Sequence, residues 1–168
     1  MKRIFAIGLI AEGFLLTLGA TAWAYFNNLA NQPTSVSLPD SIAGLQITNY
    51  TTGAEAITEF ADLHGQEFPV NFGAIGTYGS REITLWVAGA PSESIALEMT
   101  NSMREKIAQG NSPFTPINEI NDRNRKVYVL EGMGQQHFYF QSENLVIWLA
   151  VEPAFADDAL QQILEVYS

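Results

Sequence analysis

The chain has 168 residues, a formal net charge of −10 and no cysteine. The missing thiol excludes disulfides, cysteine-ligated zinc, iron–sulfur clusters, thiol catalysis and covalently attached c-type haem. An acidic excess of this size repels nucleic acid and anionic surfaces, so no nucleic-acid partner is expected.

Residues 4–26 read IFAIGLIAEGFLLTLGATAWAYF, an apolar run with one charge, Glu12. As a helix it would be about 34 Å long, against a hydrocarbon core of roughly 30 Å. The sequence therefore predicts a unit over 1–26 made of a cytoplasmic tip and a transmembrane signal-anchor helix. Lys2 and Arg3 precede the run and no basic residue follows until Arg81. That asymmetry places the N-terminus in the cytoplasm and the remainder outside, as a single-pass protein of the cytoplasmic (inner) membrane with an extracytoplasmic, periplasmic domain. A cleaved signal peptide is the other reading, with small-x-small sites at Ala20-Thr21-Ala22 and Ala22-Trp23-Ala24; the length of the run favours the anchor. Gly8, Glu12, Leu15, Gly19 and Trp23 follow steps of three and four and share one helix face. Small residues and one polar group on such a face suit docking against other membrane helices. The partners expected from this are integral membrane subunits and the lipid bilayer.

Residues 27–39 carry two prolines and no charge, and read as a linker. The outer domain, 40–168, follows. Beyond residue 26 there are 6 basic and 17 acidic side chains, a difference of −11. Leu45 and Ile47 alternate with polar neighbours, which predicts a strand over 41–53. A short amphipathic helix follows over 54–65, with Ile57, Phe60, Ala61 and His64 inward and Gly65 as its stop. A hairpin spans 70–91, turning at Gly79-Ser80. Its first strand holds three glycines, Gly73, Gly76 and Gly79; without a following Lys-Ser/Thr they read as a bulged or closely approached strand rather than a phosphate loop.

The longest soluble helix is predicted over 92–110, capped by Ser92 or Ser94, with Ile95, Met99, Met103 and Ile107 on its inner face. The two methionines sit at core spacing, not as a ligand pair. From 114 to 152 four strands are expected in a meander, and the last, LVIWLAV, is apolar on both faces and so central. Arg123, Arg125 and Lys126 read as a solvated hairpin. A final helix follows Pro153, with Leu160, Ile163, Leu164 and Tyr167 inward. The fold class is thus α+β: the N-terminal transmembrane helix, then a mainly antiparallel sheet of about six to seven strands packed by about three helices. The element order resembles compact α+β sandwiches such as those of lumenal photosystem accessory proteins, in order alone, and no function is carried over.

Chemistry-bearing motifs are few. The two histidines, His64 and His137, form no HExxH, no clustered calcium ligands occur, and no G-x-S-x-G elbow is present. No catalytic, metal or cofactor residue is assigned, and no cofactor is expected. One constellation stands out. Tyr128, His137, Tyr139 and Trp148 fall on consecutive expected strands, where cross-strand neighbours meet. They form an ordinary aromatic face under a helix or a patch for a planar ligand or partner loop. The expected function is a non-enzymatic, membrane-anchored accessory or assembly subunit of a larger membrane complex. The alternative is a tethered or secreted small-ligand-binding module using the patch around His137.

Overall fold

The computed structural model describes residues 36–65, 69–110 and 112–168. Their elements run β1 (Ser41–Ile42), β2 (Leu45–Thr52), α1 (Ala54–His64), β3 (Phe72–Tyr78), β4 (Ile83–Gly89), α2 (Glu93–Ala108), β5 (Thr115–Asp122), β6 (Arg125–Gly132), β7 (Gln135–Ser142), β8 (Leu145–Val151), a 3-10 turn at Pro153–Phe155, and α3 (Ala156–Val166). All eight strands form one antiparallel sheet in the order β1-β2-β3-β4-β8-β7-β6-β5.

Period-two alternation decides which helix covers which face. Ile83, Leu85 and Val87 of β4, Ile147, Leu149 and Val151 of β8, Phe138 and Phe140 of β7, and Val127 and Val129 of β6 share one face, in a core closed by Ala156, Ala159, Leu160, Ile163 and Tyr167 from α3 and its end. The opposite face carries α1, whose Ala56 and Phe60 meet Ile75 and Trp86. It also carries α2, whose Ala96 and Ile107 pack over Val146 and Tyr128. β8 lies between β4 and β7, and its two faces are covered by α3 on one side and α2 on the other, as its composition requires.

Helix ends follow local chemistry. Ser92 caps α2 by accepting the Ile95 N–H at 3.3 Å. Gly65 ends α1 in the left-handed region at φ 66°. The inner stripe of α1 is Ala56 and Phe60, with Ile57 and Ala61 only partly covered. His64 is exposed rather than inward, and its Nδ1 lies 2.8 Å from the Phe60 carbonyl.

The glycines of β3 are places of close approach. A Cβ on Gly73 would stand 2.9 Å from the Phe60 ring and 3.0 Å from Ala56 Cβ, so α1 rests directly on the strand. On Gly76 it would meet Leu38 at 3.1 Å. Leu38 belongs to a strap, residues 36–39, that crosses the α3 side of the sheet. Val36 and Leu38 pack on the core there, the Tyr78 hydroxyl donates to the Pro39 carbonyl at 2.9 Å, and the Tyr167 hydroxyl reaches the Ser37 carbonyl at 3.5 Å. Residues read as the end of a linker therefore cover part of the domain's core.

Two expectations of fold class are corrected. The sheet has eight strands, not six to seven, because Ala43 and Gly44 adopt φ 48° and 79° and turn the expected first strand into a hairpin, β1 with β2. The expected transmembrane part of the fold class, with its single-pass signal-anchor character, is not supported. Among the described residues no helix is long and apolar enough to cross a membrane. The longest, α2, has 16 residues, about 24 Å against roughly 30 Å of hydrocarbon, and carries Glu93, Glu98, Arg104, Glu105 and Lys106. The expected helix over 4–26 and its docking face, Gly8, Glu12, Leu15, Gly19 and Trp23, lie outside the described residues.

The meander turns through two-residue loops whose first residue is left-handed in each case: Arg123 at φ 53°, Met133 at 54° and Glu143 at 51°. Met133 is followed by Gly134 at φ 82°, the backbone pattern for which Asn-Gly is preferred. The Met133 side chain is 79% exposed and gains little there. Met133→Asn should stabilise the domain by about 0.5–1 kcal/mol. Thermal unfolding checks this, and a lowered Tm would mean that the methionine packs on something.

Candidate functional site

The meander brings the four expected residues together. Tyr128 on β6 stands opposite Tyr139 on β7, which stands opposite Trp148 on β8. The rings stack along this row: Tyr128 on Tyr139 with centroids 4.7 Å apart and planes 16° off parallel, Tyr139 on Trp148 at 5.3 Å and 12°. The row lies on the α2 side of the sheet. His137 sits one pair further along β7, opposite Leu130 and Ala150.

The polar contacts of His137 define its state. The Trp148 Nε1–H donates to His137 Nδ1 at 3.1 Å, and His137 Nε2 lies 3.0 Å from the Gly132 carbonyl oxygen. An indole N–H can only donate and a carbonyl can only accept, so the ring is neutral with its proton on Nε2. Burial pulls the His137 pKa below the ordinary histidine value, opposed by the bond to the Gly132 carbonyl, which holds the proton in place. Both ring nitrogens are spent on the fold. A general base or a metal ligand needs a free lone pair, and Nδ1 has given its pair to Trp148.

The cluster has a roof. Phe114, from the segment between α2 and β5, meets the His137 ring edge-on at 4.7 Å and lies 5.0 Å from Trp148. Met103 and Ile107 of α2 add to it. His137, Tyr139 and Tyr128 are left 4%, 1% and 8% exposed. Gly132 makes this closure possible, since a Cβ there would come within 2.6 Å of the Phe114 ring and 2.8 Å of the Pro113 carbonyl. Sequence reasoning finds the four residues by strand alternation. It misses Phe114 and Gly132, because a loop aromatic carries no periodicity and a turn glycine carries many meanings.

Other perturbed groups are equally structural. Burial is the main cause that raises the Tyr78 and Tyr139 hydroxyls above the usual phenol range, and it pushes Tyr167 up to about 12. The expected basic cluster disperses. Arg125 turns inward: its guanidinium donates to the Tyr167 carbonyl, to the Leu164 carbonyl at 2.8 Å and to Asp122 at 2.6 Å, and lies 5.4 Å from the centroid of the Phe140 ring. Lys126 pairs with Glu119 at 3.1 Å, and Arg123 remains at the exposed turn. Among the described residues no group of three or more histidine, aspartate or glutamate side chains is placed to hold a metal ion.

β5 presents the other notable surface. It lies at the sheet edge with β6 as its neighbour, and every residue except Asp122 is exposed, including Ile117 at 50% and Ile120 at 37%. Its backbone is partly blunted against strand addition: Pro116 has no N–H, the pairing slips between Pro116 and Asn118, and the Asn118 side chain accepts the Glu119 N–H at 2.8 Å. No protein-family model, no curated protein and no solved structure matches the chain.

Proposed function

We propose that this domain is a non-enzymatic accessory module that works by surface contact with a protein partner. The observation that carries the reading is the closed state of the aromatic cluster. Among the described residues, the place where histidine, tryptophan and tyrosine converge is roofed by Phe114, and both imidazole nitrogens serve the fold. A ligand module using that patch would need an open face, which disfavours the small-ligand alternative. The exposed isoleucines of β5 supply a candidate contact. With the edge backbone blunted, side chains rather than an added strand would carry recognition.

The test is purification of the full chain from its native source under mild conditions, with the co-purifying proteins measured for stoichiometry. A partner at constant ratio, lost in an Ile117→Asp, Ile120→Asp double variant that keeps its Tm, supports the reading. Recovery of the chain alone overturns it. A constant ratio unchanged in the double variant moves the contact away from β5.

A further inference from the structure

His137 joins three separate pieces of chain at one corner. It binds the Gly132 carbonyl at the β6–β7 turn, accepts from Trp148 on β8, and supports the Phe114 ring between α2 and β5. Phe114 and Pro113 in turn sit on Gly132, where a Cβ would collide with both. The arrangement tolerates one protonation state. An imidazolium has two N–H donors and no acceptor, so its Nδ1–H would point at the Trp148 N–H.

We propose that His137 is an acid-sensitive latch: a proton taken from solvent on Nδ1 converts that acceptor into a donor, ejects the Trp148 indole N–H, and releases Phe114 and Pro113 from the β6–β7 turn. The opened form presents the edge of the Tyr128, Tyr139 and Trp148 stack. No bond other than the new N–H forms, and no co-reactant is needed.

The surrounding charges do not replace the lost hydrogen bond. On the same side of the sheet are Lys126 and Tyr128 of β6, Tyr139 of β7 and Glu119 of β5, with Glu82 just before β4 and Glu152 just after β8. Arg104, Glu105 and Lys106 belong to the C-terminal half of α2. Lys126 and Glu119 satisfy one another. The causes that set the imidazole's acidity are burial first and the Gly132 carbonyl second, with no carboxylate among them. Because burial lowers the folded-state value, the latch is fully closed above the ordinary histidine range of about 6.5 and loosens as pH falls below it.

The test uses the full chain with Trp148 as its only tryptophan, through Trp23→Phe and Trp86→Phe. Emission, acrylamide quenching and far-UV circular dichroism are followed from about pH 7.5 down to about pH 4.5. The expected result is a red shift and a roughly twofold rise in quenching while the dichroism stays constant, as expected for local opening. His137→Gln should abolish the transition. Its amide can accept from Trp148 and donate to Gly132 but cannot titrate. His64→Gln should leave the transition in place. An unchanged spectrum, the same change in His137→Gln, or loss of the dichroism at the same pH overturns the latch. Should His137→Gln fail to fold, long-range nitrogen–proton spectra of the unsubstituted chain decide: an Nε2-protonated ring gaining its second proton with the emission midpoint supports the latch, and a ring neutral throughout overturns it.

Discussion

Phe140→Ala is expected to destabilise the domain by about 3–5 kcal/mol, the range for deleting a fully buried aromatic. Phe140 is completely inaccessible, stands opposite Ile147 of the central strand, and belongs to the core under α3. The void would sit between β6, β8 and the last turns of α3, where an eight-stranded hydrogen-bond ladder leaves the sheet little freedom to collapse. At about 3–4 °C per kcal/mol for a domain of this size, Tm should fall by roughly 9–20 °C. Urea unfolding followed by circular dichroism measures it. A loss under about 1 kcal/mol would mean that α3 re-packs into the void, and that the helix is held more loosely than its buried stripe indicates.

Arg125→Ala should cost about 2–3 kcal/mol, through a different route. The guanidinium satisfies the carbonyls of Leu164 and Tyr167 at the end of α3 and pairs with Asp122 across the β5–β6 turn. Its removal leaves those carbonyls at a partly buried helix end without their donor and Asp122 without its partner. Its positive charge also complements the negative end of the helix dipole. Arg125→Lys should recover less than about half of the loss, because a single ammonium cannot reproduce the planar fork that serves three acceptors. Hydrogen exchange localises the effect, with amides at the end of α3 losing protection first. Uniform loss of protection across the sheet would show that Arg125 acts through the strand, not the helix. Phe140 lies beneath the same guanidinium, so the double variant should fall short of additivity by about 0.5–1 kcal/mol.

These two residues show where sequence reasoning reached and where it stopped. Phe140 is legible as sharing a face with Phe138 from the alternation of QQHFYF alone, since period two fixes which side chains share a face. Arg125 is not. Beside Arg123 and Lys126 it looks like a solvated hairpin, and its role depends on a helix 39 residues later in the chain delivering its carbonyls. The candidate site divides in the same way. Tyr128, His137, Tyr139 and Trp148 were placed together by strand alternation and short turns, which are local properties. Whether they form an open patch or a closed core rested on Phe114, which is brought over the stack by the path between α2 and β5.

The sequence by itself determined an antiparallel sheet packed by helices, the meander, the central position of LVIWLAV, a serine cap at the start of α2 and the inner stripe of α3. Each follows from hydrophobic period, turn chemistry or capping within a window of about twenty residues. It misjudged the first strand, which Ala43 and Gly44 fold back on itself, and the inner stripe of α1, whose register is set by Gly73 and Ile75 rather than by its own pattern. Only the tertiary structure decided the strand order, with β4 joined to β8 across α2 and three strands. The same holds for the strap over Gly76 and the inward turn of Arg125. All depend on partners far away in the chain, and a single residue's type and spacing carry no information about which distant donor or acceptor it will meet.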